Sequence, residues 1–177
     1  MKKEILIHFS FLILLFILIS LIRRYLNLSY WPFWVGGLVG TLLPDLDHLL
    51  YVFFLKPEDL TSQRVNYMLG KRDLWGSLNL LAETRSERVK LIFHTSLFQI
   101  IFVVLSFWIM TSSGSLFGRG LVLAFLLHLV IDQMVDLRTV GNLFNWFKNF
   151  PVTFPQERER LYWGINILFL LILSFLF

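Results

Sequence analysis

The sequence predicts an all-α, polytopic membrane helical bundle of about five transmembrane helices, with its N-terminus in the cytoplasm. Three observations predict it. The chain is 56% hydrophobic and 17% aromatic, at a mean hydropathy of +0.69. Only 16% of its residues are charged, where an ordinary soluble domain carries about a quarter. The apolar residues also gather into five runs, each close to the roughly 17–25 residues that cross a bilayer core. Lipid offers no partner to an unpaired backbone group, so every run is expected as a helix. The whole chain, 1–177, reads as a single transmembrane domain.

The first run, EILIHFSFLILLFILISLI, covers 4–22. Lys2 and Lys3 precede it as they would a signal peptide. The apolar stretch is longer than a signal needs, and LIRRYLN follows where a small-residue cleavage site would stand, so it is expected to remain as an anchor. The second run, YWPFWVGGLVGTLLPDLDHLLYVFFL, covers 30–55. Its GGLVG at 36–40 is a small-residue stripe that lets helices approach closely, and Pro44 is expected as a kink. The third run is LIFHTSLFQIIFVVLSFWIM, 91–110, the fourth GRGLVLAFLLHLVIDQMVDLR, 118–138, and the fifth LYWGINILFLLILSFLF, 161–177.

Two connections are sizeable. The stretch 56–90 is the largest polar piece, and KPEDLTSQRVNYML within it reads as a helix start. Pro57 suits the first turn, with Glu58 and Asp59 near the positive end of the dipole. A cytoplasmic helical hairpin lying on the membrane surface is expected there, or a lid over a site. The connection 139–160 carries NWFKNFPVTFP, whose aromatic residues suit an interfacial belt. With the N-terminus inside, thirteen of the sixteen Lys and Arg residues are cytoplasmic and three are outside, as the positive-inside rule requires. The +4 net charge is therefore a topology signal and does not imply a nucleic-acid partner. No cysteine is present, which excludes disulfides, a thiolate nucleophile and a cysteine-type zinc site. No Gly-rich phosphate loop supports ATP-driven chemistry.

The spanning runs nevertheless keep His8, Asp45, Asp47, His48, His94, His128, Asp132 and Asp136. Each ionisable residue at bilayer depth costs about 2.5–3.5 kcal/mol on insertion scales. Asp45 and His48 stand i, i+3 and share a helix face; Asp47 points away from it. His128 and Asp132 stand i, i+4, and Asp136 continues that stripe towards an interfacial position. In the N-in topology His8 and His94 lie near the cytoplasmic ends of their helices. Asp45, His48, His128 and Asp132 lie about six to ten residues from theirs. At 1.5 Å per residue these groups fit one slab about 10 Å thick in the inner half of the membrane. Imidazoles and carboxylates converging from four helices suit a divalent metal: zinc, manganese, iron or nickel. The expected ligands are His8, Asp45, His48, His94, His128 and Asp132. Thr95 and Ser96 supply hydroxyls beside them, expected to bond the helix backbone rather than to act as nucleophiles.

LLPDLDH, then HTS, then HLVID resembles the membrane-bound metal-dependent hydrolases of the YdjM type, the LexA-regulated inner-membrane hydrolases. That family has an early His in its first helix, P-D-x-D-H in its second, a His followed by Ser opening a later helix, and H-x-x-x-D in the next. Here these are His8, Pro44 to His48, His94 with Ser96, and His128 with Asp132, spread over about two-thirds of the chain. Two features depart from the pattern. Val89 and Lys90 stand where the family has a His-Arg pair, and no Thr-Pro turn follows Asp132. The resemblance implies a bound metal and hydrolysis, with a distant likeness to zinc-dependent phospholipase C.

The expected function is thus a membrane-embedded metal-dependent hydrolase at the cytoplasmic leaflet of a bacterial or archaeal membrane. Its substrate would be a lipid or lipid-linked phosphoester. The metal would lower the pKa of a coordinated water and polarise the scissile group. Asp47 and Asp132 are the expected catalytic carboxylates, with Asp47 either a general base or the group that orients a ligand histidine through its second nitrogen. Two rivals stand beside it: a divalent-metal or proton transporter, since intramembrane His and Asp also mark ion paths, and a non-catalytic protein stapled by its metal.

Overall fold

The structure, a computed structural model, describes residues 2–84, 88 and 91–176. These form α1 (Lys2–Arg23), α2 (Trp31–Leu42), α3 (Leu46–Leu50), α4 (Leu60–Gly70), α5 (Leu74–Glu83), α6 (Ser96–Ser112), α7 (Leu116–Thr139), α8 (Phe144–Phe147) and α9 (Glu159–Leu176). Four stretches are long and apolar enough to cross a membrane: Ile5–Arg23, Leu28–Leu55, Leu116–Thr139 and Gln156–Leu176. The chain is an all-α helical bundle that fits a membrane protein. The third run departs from a full span. Helix α6 has 17 residues and is a shorter apolar helix. At 1.5 Å per residue it rises about 25 Å against a hydrocarbon core of about 30 Å. Residues 91–95, expected as its first turn, are not helical.

The bundle is built around α7, which is buried along most of its length, from Gly120 to Gln133. Helix α2 lies directly on it, backbone to backbone. A Cβ at Gly36 would run into the carbonyl of Phe117, one at Gly40 into that of Leu121, and one at Gly120 into that of Phe33. The small-residue stripe is therefore the seam between α2 and α7. Phe16 of α1 fills the space over Gly37 and stacks on Phe33, 4.4 Å between ring centroids. Leu12, Phe16 and Ile19 of α1, Leu123 and Leu129 of α7 and Leu170 and Leu173 of α9 belong to one apolar core.

The second run is interrupted rather than merely kinked. After Leu42 the hydrogen bonds tighten: Leu46 N–H donates to Leu43 C=O, Asp47 N–H to Pro44 C=O and His48 N–H to Asp45 C=O, each at 3.1 Å. Pro44 has no N–H to donate, so the i, i+4 ladder breaks there and the chain turns through i, i+3 bonds. Beyond α3 the coil widens to a π-helix at Tyr51–Leu55, a form that recurs at functional sites. The polar connection is the expected helical hairpin, α4 and α5. It is tied to the end of the second span by the Tyr51 hydroxyl, which donates to Asp59 Oδ2. Val52 of the span, Val65 of α4 and Leu81 of α5 make a second small core.

Candidate metal centre

The α2–α7 seam brings the Pro44 turn against the C-terminal half of α7, and α1 closes the third side. His8 Nε2 lies 3.2 Å from Asp132 Oδ1, and His128 Nε2 lies 3.2 Å from Asp132 Oδ2. The His8 and His128 rings stand 4.2 Å apart. All three residues are buried, and one ligand atom from each falls within 4.8 Å of the others, so His8, His128 and Asp132 can hold a metal ion. Around a tetrahedral zinc with bonds of about 2.0–2.2 Å, neighbouring ligand atoms sit about 3.3–3.6 Å apart. The observed 3.2 Å separations suit that shell. Both ring nitrogens of His128 are buried, and neither has a hydrogen-bond partner among the described residues. Coordination at Nε2, which already faces the Asp132 carboxylate, would give that nitrogen a partner.

His94 completes the contacts on Asp132, its Nε2 standing 2.8 Å from Oδ2. It reaches there from the non-helical stretch before α6, not from a helix. Asp47 explains why that stretch exists. Its carboxylate, 0% exposed, accepts the backbone N–H of Ile92 at 2.9 Å, of Phe93 at 2.7 Å and of His94 at 3.3 Å, and lies 3.2 Å from His94 Nδ1. Backbone N–H groups of the non-helical stretch before α6 thus go to one carboxylate in place of water. Thr95 then caps α6, accepting the Phe98 N–H. Of the two roles open to Asp47, its contacts are those of an orienting group. Both contacts of the His94 ring are hydrogen bonds only when it carries two protons, and a cation at Asp132 would displace the proton on Nε2.

Asp45 and His48 share a face, and both line a cavity of about 480 Å³ that His8, His128 and Asp132 also line. Asp45 Oδ1 is 3.6 Å from His128 Nε2, and its side chain is 56% exposed. His48 stacks on His94 at 5.3 Å and accepts a hydrogen bond at Nδ1 from Arg88 Nε, 3.1 Å away. The tight group is therefore His8, His128 and Asp132. His94 and Asp45 stand in contact with it, and His48 stands on the cavity wall.

Two residues of this region carried no signal in the sequence. Arg88 looks like one more basic residue in a polar connection. It is 3% exposed and lines the cavity, held by its bonds to His48, to Thr84 Oγ1 at 2.9 Å and to the Leu81 carbonyl. Val89 and Lys90, which stand where the family resembled in sequence has a His-Arg pair, lie outside the described residues. Trp146, expected in an interfacial belt, is 2% exposed. Its ring stands edge-on to His94 at 5.8 Å, and its Nε1–H donates to Asp136 Oδ2 at 2.7 Å. An indole placed inside needs a partner for its N–H, and Asp136, on the same α7 stripe as Asp132, provides one.

No family model, curated protein or solved structure matches the chain. The geometry alone speaks for the site: a buried His-His-Asp group, a carboxylate-oriented third imidazole, and a mainly apolar cavity that Asp45, His48 and Arg88 also line.

Proposed function

We propose that the protein is a membrane-embedded, metal-dependent hydrolase acting at the cytoplasmic leaflet on a lipid or lipid-linked phosphoester. One observation carries this reading: the His8, His128 and Asp132 donors line a cavity whose other walls are mainly apolar. A metal that only stapled helices would need no such space. The motif order from His8 to Asp132, which resembles the YdjM-type hydrolases, supports the same chemistry. Zinc is the cation the nitrogen and oxygen donors suit first, and manganese, iron and nickel also fit them. Bound there, a divalent cation supplies Lewis-acid polarisation of a phosphoryl oxygen.

The chain's own residues supply the rest. Asp47 fixes the His94 ring, so the imidazole meets Asp132 without a search among rotamers. The Arg88 guanidinium on the cavity wall attracts the anionic oxygens of a phosphoester. Asp45, exposed on the same wall, takes the proton given up by an attacking water. Leu42, Leu46 and Leu49 offer apolar surface to the chain of an amphiphile.

Elemental analysis of the purified protein and of His128→Ala, beside headgroup release from a lipid phosphoester, tests this. Wild type should carry a stoichiometric divalent metal and turn over, and His128→Ala should lose both. Metal without turnover of any lipid extract would leave a staple. Metal uptake into proteoliposomes, lost in His128→Ala, would make the protein a transporter.

A further inference from the structure

Helix α5 belongs to the polar connection, yet one of its faces is apolar. At 100° per residue, Leu74, Trp75, Leu78, Leu81 and Ala82 fall within an arc of about 120°, with Asn79 and Glu83 outside it. Exposure climbs along this stripe: Leu81 is 7% exposed, Leu78 45%, Leu74 63% and Trp75 74%. The inner end, Leu78 to Ala82, lines the metal cavity. The outer end, Leu74 and Trp75, lies outside the cavity lining and is largely exposed among the described residues.

The position of that outer end follows from the opposite wall. The same cavity is lined by Ile5 and Phe9 of α1, and Ile5 is where the first membrane span begins. A stripe that faces Ile5 across one cavity lies level with the edge of the span. Charged residues of both signs are exposed on the connection that carries α5: Arg64, Lys71 and Arg72 with Glu58, Asp73 and Glu83. Tryptophan and leucine on one face of a helix whose other faces are polar form the pattern of a helix lying in the headgroup region.

We propose that the Leu74, Trp75 and Leu78 face of α5 is immersed in the cytoplasmic leaflet of a phospholipid membrane. The metal cavity then opens between α5 and α1 onto lipid rather than water, and an amphiphile reaches Asp132 by lateral movement from the leaflet. This access route rests on the hydrolase reading; the placement of α5 does not.

The chain has no cysteine, so a single substitution gives a unique labelling site. Leu74→Cys, Trp75→Cys and Glu83→Cys would each carry a nitroxide in the full chain, reconstituted in vesicles of phosphatidylethanolamine and phosphatidylglycerol. Labels at 74 and 75 should collide with oxygen more than with a water-soluble nickel chelate, and the label at 83 should show the reverse. Nickel-accessible labels at 74 and 75 would overturn the proposal. So would labels that neither reagent reaches, since those report a protein contact. A phospholipid with a diazirine on its acyl chain should photolabel 74–82 in the unsubstituted protein, as read by mass spectrometry. Labelling confined to the membrane spans would overturn the opening onto lipid. Neither measurement reads turnover, so a protein that passes both without hydrolysing lipid would refute the hydrolase alone.

Discussion

Helix α7 carries buried polar groups on two faces at one level, and the two faces behave differently. His128 and Asp132 meet His8, His94 and Asp45 on one. Gln133, one residue on, leaves the helix about 100° further round and meets amides. Gln99 Oε1 of α6 accepts from Gln133 Nε2 at 2.5 Å, from the Tyr162 hydroxyl at 2.8 Å and from Asn166 Nδ2 at 3.4 Å. Gln99 and Gln133 are wholly buried. The two amide atoms without partners there, Gln99 Nε2 and Gln133 Oε1, are one donor and one acceptor, so this side is balanced in type. It joins α6, α7 and α9 by neutral groups alone. The ionisable side concentrates three imidazoles on one carboxylate and borders a cavity. Burial of polar groups in a membrane protein therefore does not by itself mark a site. What marks it is a donor set that its own members cannot close, placed where a ligand can arrive.

If that distinction holds, substitutions on the two faces should separate metal from stability. The largest effect belongs to Asp132→Asn. The change keeps the shape and removes the one charge that three histidines share. Stoichiometric metal should disappear from the purified protein, as read by elemental analysis, while the helical circular dichroism persists. An undiminished metal content would place the ion elsewhere and break the comparison. Asp47→Asn should act less severely. A carboxylate only accepts, and Asp47 serves three backbone N–H groups and a ring nitrogen. An amide must turn its NH₂ towards some of those donors. The His94 ring is then held loosely, and metal affinity should fall about 10–100-fold, measured by competition with a chromophoric chelator. Unchanged affinity would reduce Asp47 to a tie for the 92–94 stretch.

These contrasts also show where the sequence could be read and where it could not. The helical class, a close helix approach at GGLVG, and the meeting of His8, His128 and Asp132 follow from hydropathy and helical spacing, both short-range regularities. The start of α6 does not. LIFHTS is apolar enough to pass for a helical turn, and only Asp47, 45 residues earlier, makes an extended backbone satisfiable at that depth. Arg88 was hidden for a similar reason. Its value comes from folding back onto His48, a contact 40 residues apart in sequence. Trp146 sits in a stretch whose composition matches an interfacial belt, and Asp136 draws it inward. In each case a partner distant in sequence decides what the local pattern leaves open.

The amide face gives the smallest effect and the sharpest separation. Gln99→Leu keeps roughly the same volume and strips three donors of their shared acceptor: Gln133 Nε2, the Tyr162 hydroxyl and Asn166 Nδ2. Interhelical hydrogen bonds in membrane proteins average about 0.6 kcal/mol and reach about 1.7, and an unpaired buried donor costs about 1–3 kcal/mol. A stability loss of about 1–2 kcal/mol is expected, read as a lower unfolding midpoint in detergent, with metal content unchanged. Adding Gln133→Leu removes one of the stranded donors, so the double variant should lose less than the sum of the two single changes. Metal lost together with stability in Gln99→Leu would show that the two faces of α7 are coupled through the helix. The amide network would then be a support of the metal centre rather than an independent clasp.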